Sequence, residues 1–261
     1  ARLGGPESPY RDAEETLEAV CRALVRQSEG TFLVAKLHCS ALLRLNGAAG
    51  PQDEEFRQAL AWGLDEALDH EIRALDTAGP GGAPAAGWAL GLLLPLALSF
   101  GAGLPEDDGI WLEAARALAQ ARGDSRVYEA GDVIAIRGVG GAHIVAHGEA
   151  GQPVFRLNHE ALAGHVLRVC GIPDPQAHAT MVAVLRHVHG ELYRGRGATN
   201  PYVARYVPAH AARAGALAGL LKDAELLVRL DPERLVAQLD QPGAAASAQA
   251  QLYRPVAEDL A

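Results

Sequence analysis

The chain has little cysteine, methionine, lysine or aromatic side chain, and the cysteine pattern in particular removes whole classes of protein. Cys21, Cys39 and Cys170 are odd in number and far apart, with no C-x-x-C pair. That pattern excludes a disulfide scaffold and a cysteine-rich zinc site and fits a reducing compartment. Each cysteine is expected to sit as a small apolar residue on a helix. Aromatics make up 5% of the chain, with only 4 Phe. Lysine occurs only at Lys36 and Lys222, so the positive charge is carried by arginine. The longest apolar run, Trp88 to Phe100, is broken by Pro95. It is shorter than the roughly 20 residues that a bilayer requires. No signal-peptide pattern opens the sequence, which leads to the expectation of a cytoplasmic protein. The first residue is Ala and the single Met is Met181, so the chain is read either as Met-trimmed or as cut from something longer.

Catalytic motifs are also missing. No G-x-x-x-x-G-K-[ST] phosphate loop occurs, and no G-x-S-x-G nucleophile elbow. Gly138-Val139-Gly140-Gly141 does not complete G-x-G-x-x-G, because position 143 is His; it reads as a tight turn before a strand. His70-Glu71 lacks the second His of a metalloprotease helix. His187 and His189 are two apart on a predicted helix and splay to different faces. His143 and His147 are four apart on a predicted strand, on one face but too far apart for two residues to chelate. No acidic cluster accompanies either pair, and no metal site is expected.

Ala and Leu fill the space, a composition that favours helix. Over 261 residues, 23 Lys+Arg oppose 32 Asp+Glu, a net charge of −9. An acidic chain argues against nucleic acid or an anionic membrane as the main partner. Apolar residues recur at helical spacing over 12–27, 31–45, 51–62 and 64–75. The Gly- and Pro-rich stretch Thr77 to Pro84 is the clearest boundary in the chain. Helices are predicted over 85–99 and 108–121. Asp132 to Ile136 is ambiguous: its β-branched residues suit a strand, while Val133, Ile136 and Val139 suit one face of a short helix. Ala142 to Ala146 and Val154 to Leu157 read as strands joined by a loop of medium length, Gly148 to Gln152.

The remainder reads as helix. Asp174-Pro175, Asn200-Pro201 and Asp231-Pro232 each suggest a capping residue followed by Pro at the first helical position. Pro208 is expected to bend the second of these helices. Short apolar helices are predicted around Leu217–Leu221 and Leu226–Leu230, with loops at Gly195–Gly197 and Gln241–Ala246. The fold class is mainly α: a helical domain over 1–78, a winged helix with one β-hairpin over 85–170, and a helical-repeat-like array over 173–261. The usual role of a winged helix is DNA binding. Here nine carboxylates face six arginines over 85–170, and the segment that would read DNA holds only Arg137. Phosphates would repel such a surface.

Several segments, in order, resemble the arm that follows the nucleotide-binding core in STAND-class NTPases, the NACHT and NB-ARC group, particularly actinobacterial ones. Ser28-Glu29-Gly30-Thr31-Phe32-Leu33-Val34-Ala35 resembles the helix start of their first helical domain. Leu94-Pro95-Leu96-Ala97, Gly101-Ala102-Gly103-Leu104-Pro105 and Ile110-Trp111 resemble the start of their winged helix. Phe155-Arg156-Leu157-Asn158-His159-Glu160-Ala161-Leu162 resembles the strand-to-helix segment that ends it. Asn200-Pro201-Tyr202-Val203 through Leu226-Leu227-Val228 resembles the helical segment behind.

The resemblance implies that Asp132 to Ile136 is helical and that the protein belongs to a molecular switch. In that family ADP locks the winged helix against the nucleotide core. Exchange for ATP releases the arm, with oligomerisation and activation of an effector. The family's phosphate loop is absent from this sequence, so the chain itself carries no catalytic motif and no cofactor; the parent protein would be the NTPase and would bind ADP and ATP. The implied partners are an upstream nucleotide-binding domain, in the same or a partner chain, an effector protein, and a second copy on activation. Nucleic acid and membrane are not implied. Of the family's Met-His-Asp-like motif, whose His contacts the β-phosphate of ADP, this chain keeps the His and an acid as Asn158-His159-Glu160 and departs at the Met. His159 is thereby a phosphate-sensor candidate, acting only in the intact protein. A stand-alone helical-repeat interaction module is the alternative. An enzyme on a helical scaffold is a third reading, which lacks paired carboxylates in any motif.

Overall fold

A computed structural model of the chain describes residues 3–28, 32–79 and 86–240. It is mainly helical, with a small three-stranded antiparallel sheet. The chain divides between Leu75 and Asp76 into two compact units. Residues 80–84 of the expected Gly/Pro boundary and the expected loop at 241–246 lie outside the described residues.

The first unit contains α1 (Glu14–Gln27), α2 (Phe32–Leu43), α3 (Glu54–Leu60) and α4 (Leu64–Ala78) up to Leu75. Val20 and Leu24 of α1 meet Ala41 and Leu42 of α2 and Phe56 and Leu60 of α3 around a fully buried Tyr10, whose hydroxyl donates to the Ala49 carbonyl at 2.7 Å. Cys21 and Val25, expected on the apolar face of α1, are exposed. Helix α2 is not buried on every side, since Phe32 at its start faces solvent.

The second unit is built on α5 (Trp88–Leu98), whose residues are buried apart from Ala97. Helices α6 (Ile110–Ala121), α7 (Ala130–Val139) and α8 (Glu160–Cys170) pack on it, together with strand β3 (Gln152–Leu157). Trp111 of α6 is fully buried, and its indole N–H donates to the Leu92 carbonyl at 2.8 Å. The start of α5 is capped at a distance. Gly87 offers no side chain, and the buried carboxylate of Asp76 accepts from Gly87 N–H at 2.8 Å and Ala89 N–H at 2.7 Å. A carboxylate at a helix N-terminus pairs orphan donors and complements the helix dipole.

The ambiguous segment Asp132–Ile136 is helical, within α7. Asp132 decides this: its carboxylate accepts from Glu129 N–H at 2.7 Å in a capping box and from the Trp88 indole at 2.8 Å. Val133 and Ile136 then face the core while Ile134 faces solvent.

Strands β2 (Ile144–Glu149) and β3 form the expected hairpin, but the loop is shorter than expected. Glu149 pairs with Gln152, leaving Ala150 and Gly151 as the only turn residues, at φ 50 and 81. Two successive positive φ values give a turn whose twist matches the strands. A third strand, β1 (Leu104–Pro105), pairs with β3, so the sheet order is β1-β3-β2. The sequence assigns no element there, because a two-residue strand has no period to detect.

Helices α9 (Asp174–Leu192), α10 (Pro201–Arg213), α11 (Leu217–Leu220), α12 (Ala224–Leu227) and α13 (Pro232–Leu239) follow in the same unit; α9 packs on α6 and α10, and α13 on α10. Asn200 and Asp231 cap as expected, accepting from Tyr202 N–H at 2.8 Å and Arg234 N–H at 3.2 Å. Asp174 does not cap: it lies inside α9, with Pro173 at the cap position, and its carboxylate turns to His178 and Arg213. Pro208 sits within α10 and has no N–H to offer the Ala204 carbonyl. That carbonyl accepts instead from Asp231 N–H at 2.9 Å, which ties the start of α13 to α10.

Candidate functional site

His159 stands where β3 hands over to α8. Asn158 fixes the junction: its backbone N–H donates to the His143 carbonyl at 2.8 Å and its side-chain amide to the Ala142 carbonyl at 2.6 Å. His159 follows with extended backbone and is the N-cap of α8, its Nδ1 accepting from Ala161 N–H at 3.3 Å. A neutral ring that accepts at Nδ1 carries its proton on Nε2. The side chain is exposed, so this Nε2–H is a donor set beside the free N–H groups of a helix N-terminus. Glu160 in the first turn adds a negative charge there.

The face formed by α7 and the hairpin is a cleft of about 430 Å³ bordered by Ile134, Gly138, Ile144, Ala146 and Phe155. Its one cation, Arg137, forms an ion pair with Glu106 and lies over the Phe155 ring, 4.4 Å from its centre. An apolar cleft with its guanidinium already engaged suits an apolar surface better than a phosphate backbone.

A second polar arrangement lies between α9 and α10, and no motif in the sequence marks it. His178 and His210 are buried with their Nδ1 atoms 2.8 Å apart. His210 Nε2 lies 3.1 Å from the Tyr202 hydroxyl, which accepts from Phe100 N–H at 3.1 Å. His178 Nε2 is 3.4 Å from Asp174 Oδ1. One assignment satisfies the whole chain: Tyr202 O–H donates to His210, His210 Nδ1–H donates to His178, and His178 Nε2–H donates to Asp174. Both imidazoles are then neutral. Burial lowers the pKa of His178 against the opposing pull of Asp174, and lowers that of His210 further, with His178 and Arg213 acting in the same direction. Burial likewise raises the Tyr202 phenol. The available sequence signal was that His178 and His210 each share a helix face with apolar residues.

The other histidine pairs do not converge. His189 is buried, with Nδ1 2.9 Å from the Thr199 hydroxyl, while His187 is exposed. His143 precedes β2 and is buried, while His147 within β2 is exposed. Among the described residues no group of three or more His, Cys, Asp and Glu is arranged to hold a metal, and no helix is long and apolar enough to cross a membrane. No protein-family model, curated protein or solved structure matches the chain.

Proposed function

We propose that this chain is the regulatory arm of a STAND-type nucleotide-dependent switch, with a helical domain, a winged helix and a helical array. The arrangement around the sheet carries the reading. Helix α5, then β1, α6, α7 and the hairpin β2–β3, with sheet order β1-β3-β2, follow the order expected of a winged helix and support the reading. His159 follows the last strand directly, at the N-cap of α8. In this reading the Nε2–H of His159 donates to a phosphate oxygen of ADP supplied by a nucleotide-binding domain, and so holds the arm closed. Because Nδ1 is used by Ala161 N–H, only Nε2 needs to meet the phosphate, and the cap persists while the nucleotide is bound. Loss of the β-phosphate contact frees the arm for an effector or a second copy. The paired state of Arg137 and the net charge of −9 support a winged helix that packs against protein rather than DNA.

The test is the rate of ADP release from the polypeptide or complex that joins this chain to a nucleotide-binding domain. His159→Ala should speed release by roughly tenfold, the loss of one charge-assisted hydrogen bond. An unchanged release rate, with circular dichroism showing an intact fold, removes His159 from the sensor role.

A further inference from the structure

A cleft of about 400 Å³ opens between the turn after α5 and the outer faces of α10 and α13, lined by Phe100, Arg205, Tyr206, Arg213, Arg234 and Gln238 among others. Three guanidinium groups border one cleft in a chain whose net charge is −9. Like charges held together repel unless an anion joins them. The carboxylates nearby only partly meet this need. Glu149 accepts from Arg205 at 2.7 Å and from the Tyr206 hydroxyl at 3.1 Å, both through one oxygen. Arg213 is 3.7 Å from Asp174, an ion pair without a hydrogen bond. Arg234 has no carboxylate within ion-pair distance among the described residues.

Aromatic rings hold two of the guanidinium groups in place. Arg213 lies over Phe100, 5.8 Å from the ring centre, and Arg234 over Tyr206 at 6.0 Å. The wall behind them is close-fitting: at Gly101, with φ +62, a Cβ would come within 1.9 Å of the Tyr206 hydroxyl. Guanidinium groups so oriented present paired N–H donors that match the oxygens of a phosphate or carboxylate. The volume falls in the range of small-molecule sites.

We propose that this cleft binds a small molecule carrying at least two oxyanion groups, a phosphorylated or polycarboxylated metabolite. The site is separate from the start of α8 and does not rest on the switch reading. Titration calorimetry of the full 261-residue chain at low ionic strength, with pyrophosphate and with citrate as probes, tests it. Saturable binding of at least one probe at one site is expected, and the tighter probe identifies the ligand as a phosphate or a carboxylate. Arg213→Gln and Arg234→Gln should each weaken that binding by about tenfold or more. Both side chains are exposed, and an unchanged urea midpoint verifies the fold of each variant. Arg229→Gln removes a charge outside the cleft, where the guanidinium donates to the Gly197 carbonyl, and should leave binding unchanged. Absence of saturable binding with both probes, or an equal loss in Arg229→Gln, overturns the proposal.

Discussion

Histidine is where single residues matter most in this molecule. His38, His143, His165, His178, His189 and His210 are all buried. For His38, His178 and His210, burial lowers the pKa below that of an exposed imidazole. The consequence for stability has a definite sign. As pH falls through about 6.5 the unfolded chain takes up protons at these positions before the folded chain does, so folding weakens toward acid. The urea midpoint should therefore be lower at about pH 5.5 than at about pH 7.5. Replacing His210 by Gln should reduce the difference between the two conditions, and a midpoint equal at both in the original chain would contradict the assignment of neutral, buried rings. The sequence showed His210 on the apolar face of its helix, because helical period reveals burial. It did not show His178 as its partner, because a contact across 32 residues leaves no periodic trace.

At the scale of elements, most helices were legible because their apolar residues repeat at 3.6-residue spacing, whereas helix starts were less so. Asn200 and Asp231 cap by local rules, but Asp174 does not, and α5 takes its cap from Asp76, eleven residues earlier. Asp76→Ala leaves the N–H groups of Gly87 and Ala89 without their acceptor in a buried setting and should cost about 2 kcal/mol. Asp76→Asn, which keeps one carbonyl acceptor, should cost less. Urea unfolding followed by circular dichroism measures both, and equal stability of Asp76→Ala and the original chain would show that the cap is not needed. The β-branched content of α7 suits a strand as well as a helix; Asp132 closes a capping box and accepts from Trp88, so a terminus outweighs propensity. The strand β1 stayed hidden because two residues cannot express a period of two.

The whole molecule joins two compact units, the second of which carries α5 to α13 and the sheet. Net charge and the excess of carboxylates over arginines in 85–170 are readable in the sequence as evidence against a DNA-facing role, whereas the ion pair that engages Arg137 is not. Nor is the arginine-lined cleft, because Arg205, Arg213 and Arg234 come from two helices and meet only once α13 is tied to α10 through the Ala204 carbonyl. The proposed partnership of this chain with a nucleotide-binding domain has a direct readout in nucleotide content. The polypeptide carrying this chain, purified from its own cells with any stoichiometric partner, is denatured in acid and the released nucleotide is identified by chromatography. Stoichiometric ADP is expected. Its contradiction would be a homogeneous preparation that releases no adenine nucleotide and takes up none when ADP is added.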